Sequence, residues 1–247
     1  MSSELFIPLN PAVVWVTANS DGVIALNKGV GVLSHPNKSQ DRSKSLLQAD
    51  FDFDQECYHW KNEAGEEQKL WLVNRLDVPT SGLILLAKSL ELKRALRACF
   101  EDHKVEKEYQ AIVRGFPKSK RGVWSGKLVY KNRHKGSASK SVLYAKTRFQ
   151  LERSSNTVPK LSRLKLNPVT GRTHQLRIHC AENHVPIIGD QIYGDFKCNH
   201  SIKRSKKVDR LLLHCSSVKL TYTLNARPRS FEAKVELPDC FHSIIGS

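Results

Sequence analysis

The sequence lacks any apolar run that approaches the roughly 20 residues needed to span a membrane. Its first segment, MSSELFIPLNPAVVWV, also lacks the basic stretch followed by a long apolar stretch that is typical of a signal peptide. The six cysteines are scattered without a CxxC pair, so the spacing indicates neither a disulfide framework nor a zinc ribbon. We therefore expect a cytoplasmic protein whose thiols are reduced.

Several common active-site motifs are also missing. The sequence has no HExxH zinc motif, no GxxxxGK[ST] phosphate-binding loop and no GxSxG nucleophile elbow. The residues that come closest to a metal site are His179 and Cys180 with His184, and Cys198 with His200, but their spacing matches no standard site. We therefore expect no bound metal. The remaining candidate for catalysis is an acidic residue in an unusual setting.

Acidic residues are few relative to basic ones. The 40 Lys and Arg against 24 Asp and Glu give a formal charge of +16, which favours a polyanionic partner such as nucleic acid. Residues 109–150 include no acidic residue and eleven basic ones, and aromatics are interspersed with them, among them Trp124, Tyr130, Tyr144 and Phe149. Such a segment can grip phosphates and stack bases, or it can be a solvated hairpin whose aromatics pack in the core. A second basic cluster, residues 203–207, is predicted to be a surface loop.

The pattern of apolar residues predicts many strands and few helices. The predicted strands are residues 22–28, 70–77, 83–87, 106–115, 161–166, 210–222 and 230–237. Ser89 is a predicted N-cap, since Leu92, Leu96 and Cys99 after it share one helical face, and a second helix is predicted at residues 173–183. Residues 37–69 and 197–208 are predicted to be loops, the first with a short helix at most. Without regular βαβ alternation, this pattern indicates an α+β fold with a mixed, largely antiparallel central sheet and flanking helices.

Asp77 is the acidic residue in the unusual setting. It leaves an apolar strand in the stretch NRLDVPTSGL, where Pro79 stiffens the loop and Gly82 permits tight backbone geometry. An aspartate held rigidly in this way suits catalysis. The same residue could instead cap a turn, and residue types alone leave both interpretations open.

The segment NRLDVPTSGLILLAKS resembles the HRLDxxTSGLLLxAK signature of the RluA family of RNA pseudouridine synthases. Four further segments resemble motifs of that family in the same order: ALNKGVGVLSHP, KEYQAIVRG, PVTGRTHQLRIHCAENHVPIIGDQIYG and RLLLHCSSVKL. Together they extend from about residue 22 to residue 237. The resemblance implies that residues 1–247 form a single catalytic domain with the pseudouridine synthase fold and an active-site cleft. Only about 20 residues precede the first motif, so we expect no S4 module and RNA recognition by the catalytic domain itself.

The resemblance implies a reaction and three catalytic residues. The expected activity is isomerisation of a specific uridine in structured rRNA, tRNA or both to pseudouridine, by a monomer without a cofactor. Asp77 carries over as the carboxylate, acting either as nucleophile at C1′ or as base at C2′, and the sequence does not choose between these roles. Arg177 is the expected cation that keeps Asp77 ionised. Tyr109 is expected to stack on the uracil and to help remove the C5 proton.

The resemblance also implies four substrate-binding residues. Arg75 is expected to enter the space that an extruded uridine leaves in the RNA. Arg172 is a second candidate for the partner of Asp77 or a phosphate contact, and His174 lies in the same motif. Leu213 matches a leucine that lines the uracil pocket, although a strand leucine can equally belong to the core.

Two positions depart from the family pattern. Asn74 stands where the family usually has His, and Gly29 stands where it usually has Pro, which puts loop geometry and substrate choice in doubt. These departures favour one rival, an inactive RNA-binding protein on the same fold. A second rival is an enzyme that processes small nucleosides or glycosides, but such an enzyme has no need for a charge of +16.

Overall fold

A computed structural model of the chain describes residues 6–134, 137–155 and 158–245. The chain forms two compact units, here called unit 1 (Met1–Val105 and Cys215–Val235) and unit 2 (Glu106–His214 and Glu236–Ser247). None of the helices among these described residues is long and apolar enough to cross a membrane.

The described residues form twelve strands, four α-helices and one 3-10 helix. The strands are β1 (Val13–Ala18), β2 (Val23–Lys28), β3 (Asp50–Asp52), β4 (Cys57–Lys61), β5 (Glu67–Leu72), β6 (Ser81–Ala87), β7 (Glu106–Arg114), β8 (Arg121–His134), β9 (Ser137–Ser155), β10 (Leu161–Pro168), β11 (Leu213–Leu224) and β12 (Arg227–Lys234). The helices are the 3-10 helix at Ser39–Lys44, α1 (Leu90–Glu101), α2 (Gln175–Glu182), α3 (Phe196–Lys206) and α4 (Asp239–Ile245).

Unit 1 is a set of antiparallel strands around an aliphatic core. β1 pairs with β2, β2 with β6, β6 with β5, β5 with β4, and β4 with β3, while β11 pairs with β12. Every residue of β6 is buried, as expected of the apolar run LILLA that makes up most of it. The N-cap prediction for α1 is confirmed, because the Ser89 hydroxyl accepts a hydrogen bond from the Leu92 N–H at 3.1 Å.

Unit 2 combines antiparallel strands with three helices. Its strand order is β7-β10-β9-β8, and the long strands β8 and β9 form one hairpin. The core beneath α2 includes Ala111, Leu164, Leu166 and Cys180. The α+β prediction with largely antiparallel pairing is therefore confirmed within each unit.

Two loop predictions missed regular structure. Residues 37–69 contain the expected short helix, the 3-10 helix at Ser39–Lys44, but also β3, β4 and the start of β5. The strands form because Tyr58 and, just beyond the stretch, Leu70 turn inward and are fully buried. Residues 197–208, with the basic cluster 203–207, mostly form α3 instead of a loop. This helix is capped by Asp195, whose carboxylate accepts from the Cys198 N–H at 2.8 Å.

The predicted strand at residues 70–77 was too long. β5 ends at Leu72. The Val73 N–H still donates to the Leu85 carbonyl of β6 at 3.0 Å, but the residues from there to Asp77 are not part of a strand. All six cysteines are free thiols, and every one except Cys240 is buried.

Candidate active site

The backbone on both sides of Asp77 is fixed by hydrogen bonds. The Ser34 hydroxyl donates to the Leu76 carbonyl at 2.9 Å and accepts from the Leu76 N–H at 3.1 Å. The Gly31 N–H donates to the Val78 carbonyl at 2.9 Å, and the Thr80 N–H closes a turn on the Asp77 carbonyl at 3.0 Å. The half-buried Asp77 therefore occupies a loop whose peptide groups are restrained independently of its carboxylate.

Lys28 is a buried cation beneath this loop. Its side chain is fully buried, and Nζ donates to the carbonyls of Gly29, Val32 and Val78 at 3.0, 2.9 and 3.2 Å. Three carbonyl acceptors partly replace the hydration that a buried ammonium loses. Lys28 thus joins the turn after β2 to the residue that follows Asp77.

Gly82 and Asn74 hold the two ends of the loop. Gly82 has φ +112°, and a Cβ at this position would overlap the Cys215 carbonyl oxygen, so only glycine fits. This supports the tight geometry expected from the sequence. The Asn74 side-chain oxygen accepts from the Leu85 N–H of β6 at 2.7 Å. The departure from the family's histidine therefore has a local structural role.

Gly29, the other departure, also has a local reason. Its N–H donates to the Ala12 carbonyl at 2.8 Å, and an added Cβ would lie 2.5 Å from that same oxygen. Proline has no N–H to donate and would bring its ring against the Ala12 carbonyl. The chain before β1 thus occupies the space that the family's proline would need.

Restoring the family's proline at this position should therefore be harmful. We expect Gly29→Pro to lower the free energy of unfolding by about 2–4 kcal/mol, from the lost hydrogen bond and the forced displacement of the Ala12 peptide. Urea unfolding followed by circular dichroism measures the change. Gly126→Ala is the control, since nothing lies within 4 Å of a Cβ built there. An equally stable Gly29→Pro variant would contradict this account.

Arg75 is exposed at the start of the same loop. Its Nη1 lies 3.5 Å from His35 Nε2, and the His35 ring stacks on Phe51 with a centroid distance of 5.2 Å. Phe51 in turn contacts Phe53 and Tyr58 edge to face. Arg75 therefore extends toward solvent beside a cluster of packed rings that includes His35 and Phe51.

Arg177 forms a buried ion pair with Asp190. Only 3% of the Arg177 side chain and none of the Asp190 side chain is exposed. The guanidinium donates from Nε to Asp190 Oδ2 at 2.7 Å and from Nη2 to Oδ1 at 2.8 Å, and its carbon lies 5.2 Å from the Tyr193 ring centre. This bidentate geometry fixes the plane and direction of the guanidinium.

The Asp190 carboxylate is held charged by its neighbours. Burial alone would raise its pKa, but hydrogen bonds from Arg177 and from the N–H groups of Tyr193 and Ile192 outweigh burial and leave the pKa below its ordinary value. Asp190 Oδ1 accepts from the Ile192 and Tyr193 N–H groups at 2.9 and 3.0 Å. The ion pair thus also orders the turn that follows Asp190.

Gln175 ties the first turn of α2 to the sheet. Its Oε1 accepts from the Thr170 hydroxyl at 2.6 Å and from the Arg172 N–H at 3.1 Å, while its Nε2 donates to the Lys146 carbonyl at 3.0 Å and to Thr147 Oγ1 at 2.9 Å. The Arg172 side chain donates from Nε to the Tyr144 carbonyl at 3.3 Å. These bonds give the turn that carries Arg172 a fixed position on β9.

The remaining predicted residues of unit 2 lie around the same helix. His174, the N-cap residue of α2, has φ 53°, and its Nδ1 lies 3.1 Å from the Tyr193 hydroxyl. Tyr109 on β7 is half-buried against the core beneath α2. Leu213 is 3% exposed and belongs to that core. Arg177 and His174 therefore share one neighbour, Tyr193.

Some structurally important polar residues were not singled out from the sequence. Asp190 and Tyr193 lie in the quoted motif PIIGDQIYG, where a lone acidic residue in an apolar setting was an available signal of a buried pair. Lys28 and Ser34 lie in the first motif, but nothing in their spacing distinguishes a buried lysine from a solvated one. No cluster of three or more His, Cys, Asp or Glu able to hold a metal occurs within residues 6–134, 137–155 and 158–245.

Comparisons with known proteins show the family of the chain. The model of the RNA pseudouridylate synthase family matches residues 22–182. A tRNA pseudouridine synthase C of Pectobacterium carotovorum is 32% identical over 87% of this chain and 57% of its own length, and one of Haemophilus ducreyi is 33% identical over 82% and 83%. A ribosomal large subunit pseudouridine synthase C of Haemophilus ducreyi is 32% identical over 68% of this chain and 52% of its own length.

Solved structures give the same fold. Human RNA Pseudouridylate Synthase Domain Containing 4 superposes with a TM-score of 0.65 and 22% identity, over 93% of this chain and 91% of its own. The resemblance that rests on five sequence motifs is therefore confirmed for both family and fold. The chain spans only about half the length of two of the three relatives above, 57% and 52%.

Proposed function

Because the chain belongs to the RNA pseudouridylate synthase family, we propose that it isomerises a specific uridine of structured RNA to pseudouridine. The reaction breaks the C1′–N1 bond, turns the freed uracil and joins C1′ to C5. The observation that carries the proposal is the family match over residues 22–182, which includes Asp77, Tyr109, Arg172, His174 and Arg177. The names of its relatives favour a tRNA substrate first and ribosomal RNA second.

The proposed chemistry needs one carboxylate. Asp77 would act as nucleophile at C1′ or as base at C2′, and either role requires an ionised carboxylate in a fixed position. The hydrogen bonds from Ser34, Gly31 and Lys28 to the peptides beside Asp77 support the second requirement. Arg177 remains the guanidinium proposed to favour the ionised form, and its bidentate pair with Asp190 supports that role because it gives the cation one orientation.

The other proposed residues act on the base and on the RNA. Tyr109 would stack on the uracil and help remove the C5 proton, while Leu213 would contribute an apolar wall. His174 and Arg172 would bind the sugar-phosphate groups, and Arg75 would occupy the position of the extruded base. We propose that the chain acts as a monomer in the cytoplasm and uses neither a metal nor a cofactor.

The rival function, an inactive RNA-binding protein, rests on the departures at Gly29 and Asn74. Both have local structural explanations, the bond from the Gly29 N–H to the Ala12 carbonyl and the bond from the Leu85 N–H to the Asn74 side chain. Neither departure therefore removes a group that the proposed chemistry uses. They give the rival no specific support.

Pseudouridine mapping of total RNA tests the proposal. Cells with and without the gene should differ at one or a few uridines, and a plasmid copy should restore those sites. A map that is identical in both strains, together with no isomerisation by the purified protein on the same RNA, would reject the proposed function.

Arg75 gives a narrower prediction about base extrusion. Arg75→Ala should lower activity on a folded stem-loop by about 10- to 100-fold more than on an unstructured oligonucleotide, because only the stem-loop must unstack the base at a cost of a few kcal/mol. The kcat/KM values of the variant on both substrates measure this ratio, with Arg42→Ala, in the exposed Arg42–Asp50 pair, as the control. Equal losses on both substrates would argue against the role of Arg75.

A further inference from the structure

The β8–β9 hairpin has one face that is exposed over residues 121–129 and 142–150. In the antiparallel register, Lys127 lies opposite Tyr144, Val129 opposite Val142 and Val123 opposite Arg148. Since side chains alternate between the two faces of a strand, alternate residues from 121 to 129 and from 142 to 150 point to one side. We call this side the ribbon face. Its described side chains are exposed except Lys146, which is half-buried.

The opposite side of the hairpin fixes which way the ribbon face points. Trp124 and Phe149 stack there with ring centres 4.2 Å apart, and Leu128, Ala145 and Thr147 beside them are buried. A slip of one residue would move these side chains into solvent, so the register is strongly specified. The ribbon face is therefore a permanent surface of unit 2.

The chemistry of the ribbon face is cationic and partly apolar. It carries Arg121, Lys127, Lys146 and Arg148, and no acidic side chain occurs at its positions within residues 121–129 and 142–150. Among these cations Tyr144 is 55% exposed, and the neighbouring Val142 and Val129 are exposed to a similar extent. The side chain of Tyr130, another aromatic noted in the sequence, lies outside the described part of the structure. The core interpretation of the basic segment therefore applies to Trp124 and Phe149, whereas Tyr144 is exposed on the ribbon face.

The ribbon face is anchored to the turn that leads into α2. The Arg172 Nε donates to the Tyr144 carbonyl at 3.3 Å, and the Lys146 N–H donates to Thr170 Oγ1 at 3.0 Å. The Gln175 side chain closes the same connection at the Lys146 carbonyl at 3.0 Å. A ligand on the ribbon face would therefore lie next to the turn that carries Arg172 and precedes Arg177.

We propose that the ribbon face is a docking surface for a single-stranded or loop segment of the substrate RNA. The four cations would contact successive phosphates, and an unstacked base would lie on the Tyr144 ring. The charge of the surface selects a polyanion, and an exposed aromatic among cations is the combination that binds unpaired nucleotides. The inference rests on the proposed function only in taking RNA as the substrate.

Charge reversal tests the phosphate contacts. The double variant Lys127→Glu/Arg148→Glu should bind fluorescein-labelled bulk tRNA at least about 10-fold more weakly than the wild type. The slope of log Kd against log salt concentration should fall by about 1.4, or about 0.7 for each single-strand phosphate that the variant no longer neutralises. The control Arg204→Glu/Lys206→Glu makes the same change in net charge on α3, within the same unit. It should keep the wild-type slope.

Tyr144 tests the stacking contact separately. Tyr144→Ser should weaken binding of the same tRNA by about 5- to 100-fold, whereas Tyr144→Phe, which keeps an aromatic face, should bind like the wild type. For the wild type, a fully paired RNA duplex should be a poorer competitor than unlabelled tRNA. For Tyr144→Ser, the duplex and the tRNA should compete equally well. Circular dichroism spectra that match the wild type would exclude misfolding of these exposed-site variants.

Several results would overturn the inference. The first is that the wild type does not bind the tRNA. The second is that the ribbon-face variants keep the wild-type Kd and salt slope. The third is that Arg204→Glu/Lys206→Glu weakens binding as much as Lys127→Glu/Arg148→Glu does. A protein partner that binds the wild type and not Tyr144→Ser, with RNA binding unchanged, would reassign the surface. A failure of the docking inference is distinguishable from a failure of the proposed function. RNA binding through the ribbon face without pseudouridine formation rejects only the function, and full isomerisation by both ribbon variants rejects only the docking surface.

Discussion

Asp77→Asn should abolish pseudouridine formation while leaving the fold intact. An amide can serve neither as nucleophile at C1′ nor as base at C2′, so the expected loss in kcat is at least about 10³-fold. The loop should survive, because the bonds from Ser34, Gly31 and Lys28 reach peptide groups beside Asp77 and not its carboxylate. Since the reaction replaces the C5–H bond, tritium release from RNA labelled at C5 of uridine measures the rate.

A matched control separates this effect from a general loss of negative charge. Asp54→Asn makes the same chemical change at an exposed position of unit 1 and should leave the rate unchanged. Unfolding midpoints of the two variants should lie close to that of the wild type. Isomerisation by Asp77→Asn at the wild-type rate would remove Asp77 from the proposed mechanism.

Asp190→Asn should cause a large loss of stability and of activity. The substitution leaves the 3%-exposed Arg177 without its charged partner and sets an amide against one of its N–H groups. Removing one member of a buried ion pair typically costs about 3–5 kcal/mol, because the other charge is left buried and unpaired. We therefore expect Asp190→Asn to unfold well before Arg177→Met/Asp190→Asn when both are followed by urea denaturation. The double variant removes both charges and keeps an amide oxygen that can accept from the Ile192 and Tyr193 N–H groups.

The double variant also separates stability from catalysis. It should recover much of the lost stability but none of the lost activity, because the proposed role of Asp190 is to orient the Arg177 guanidinium. Asp50→Asn, in the exposed Arg42–Asp50 pair, is the control for a surface ion pair and should change the unfolding midpoint little. An Asp190→Asn variant as stable and active as the wild type would contradict both roles.

The same pair predicts how stability depends on pH. The pKa of Asp190 is lowered from 3.8 in the folded chain, so its contribution to stability is fully present above that value. It is lost as the pH falls through the folded-state pKa, since the unfolded chain then binds the proton more readily. The wild type should lose this contribution only below about pH 4, and Asp190→Asn should lack that part of the acid dependence.

The sequence predicted the elements whose signals are local. The N-cap at Ser89, the strands around residues 22–28 and 83–87 and the tight backbone at Gly82 all follow from residue type and spacing. The strands within residues 37–69 were missed, because two inward-facing side chains, Tyr58 and Leu70, decide the pairing of β3, β4 and β5. Pairing of this kind depends on partners distant in sequence, which composition does not reveal.

The same distinction applies to the candidate site. The motifs identified the loop of Asp77 and the residues around Arg177, but the partner of Arg177 lies thirteen positions away at Asp190. The buried state of Lys28 likewise depends on the Val78 carbonyl, fifty positions along the chain. Polar networks of this kind join segments that fold together. The local sequence can show that a residue such as Asp190 is buried, but it does not name the partner.

The distribution of buried thiols gives each unit its own reporter of opening. Cys57, Cys99 and Cys215 belong to unit 1, and Cys180 and Cys198 belong to unit 2. A shielded thiol reacts with an alkylating reagent only when the segment around it opens. Pulse alkylation followed by peptide mass spectrometry can therefore time the local opening of the two halves separately, in a single native sample and without an engineered label.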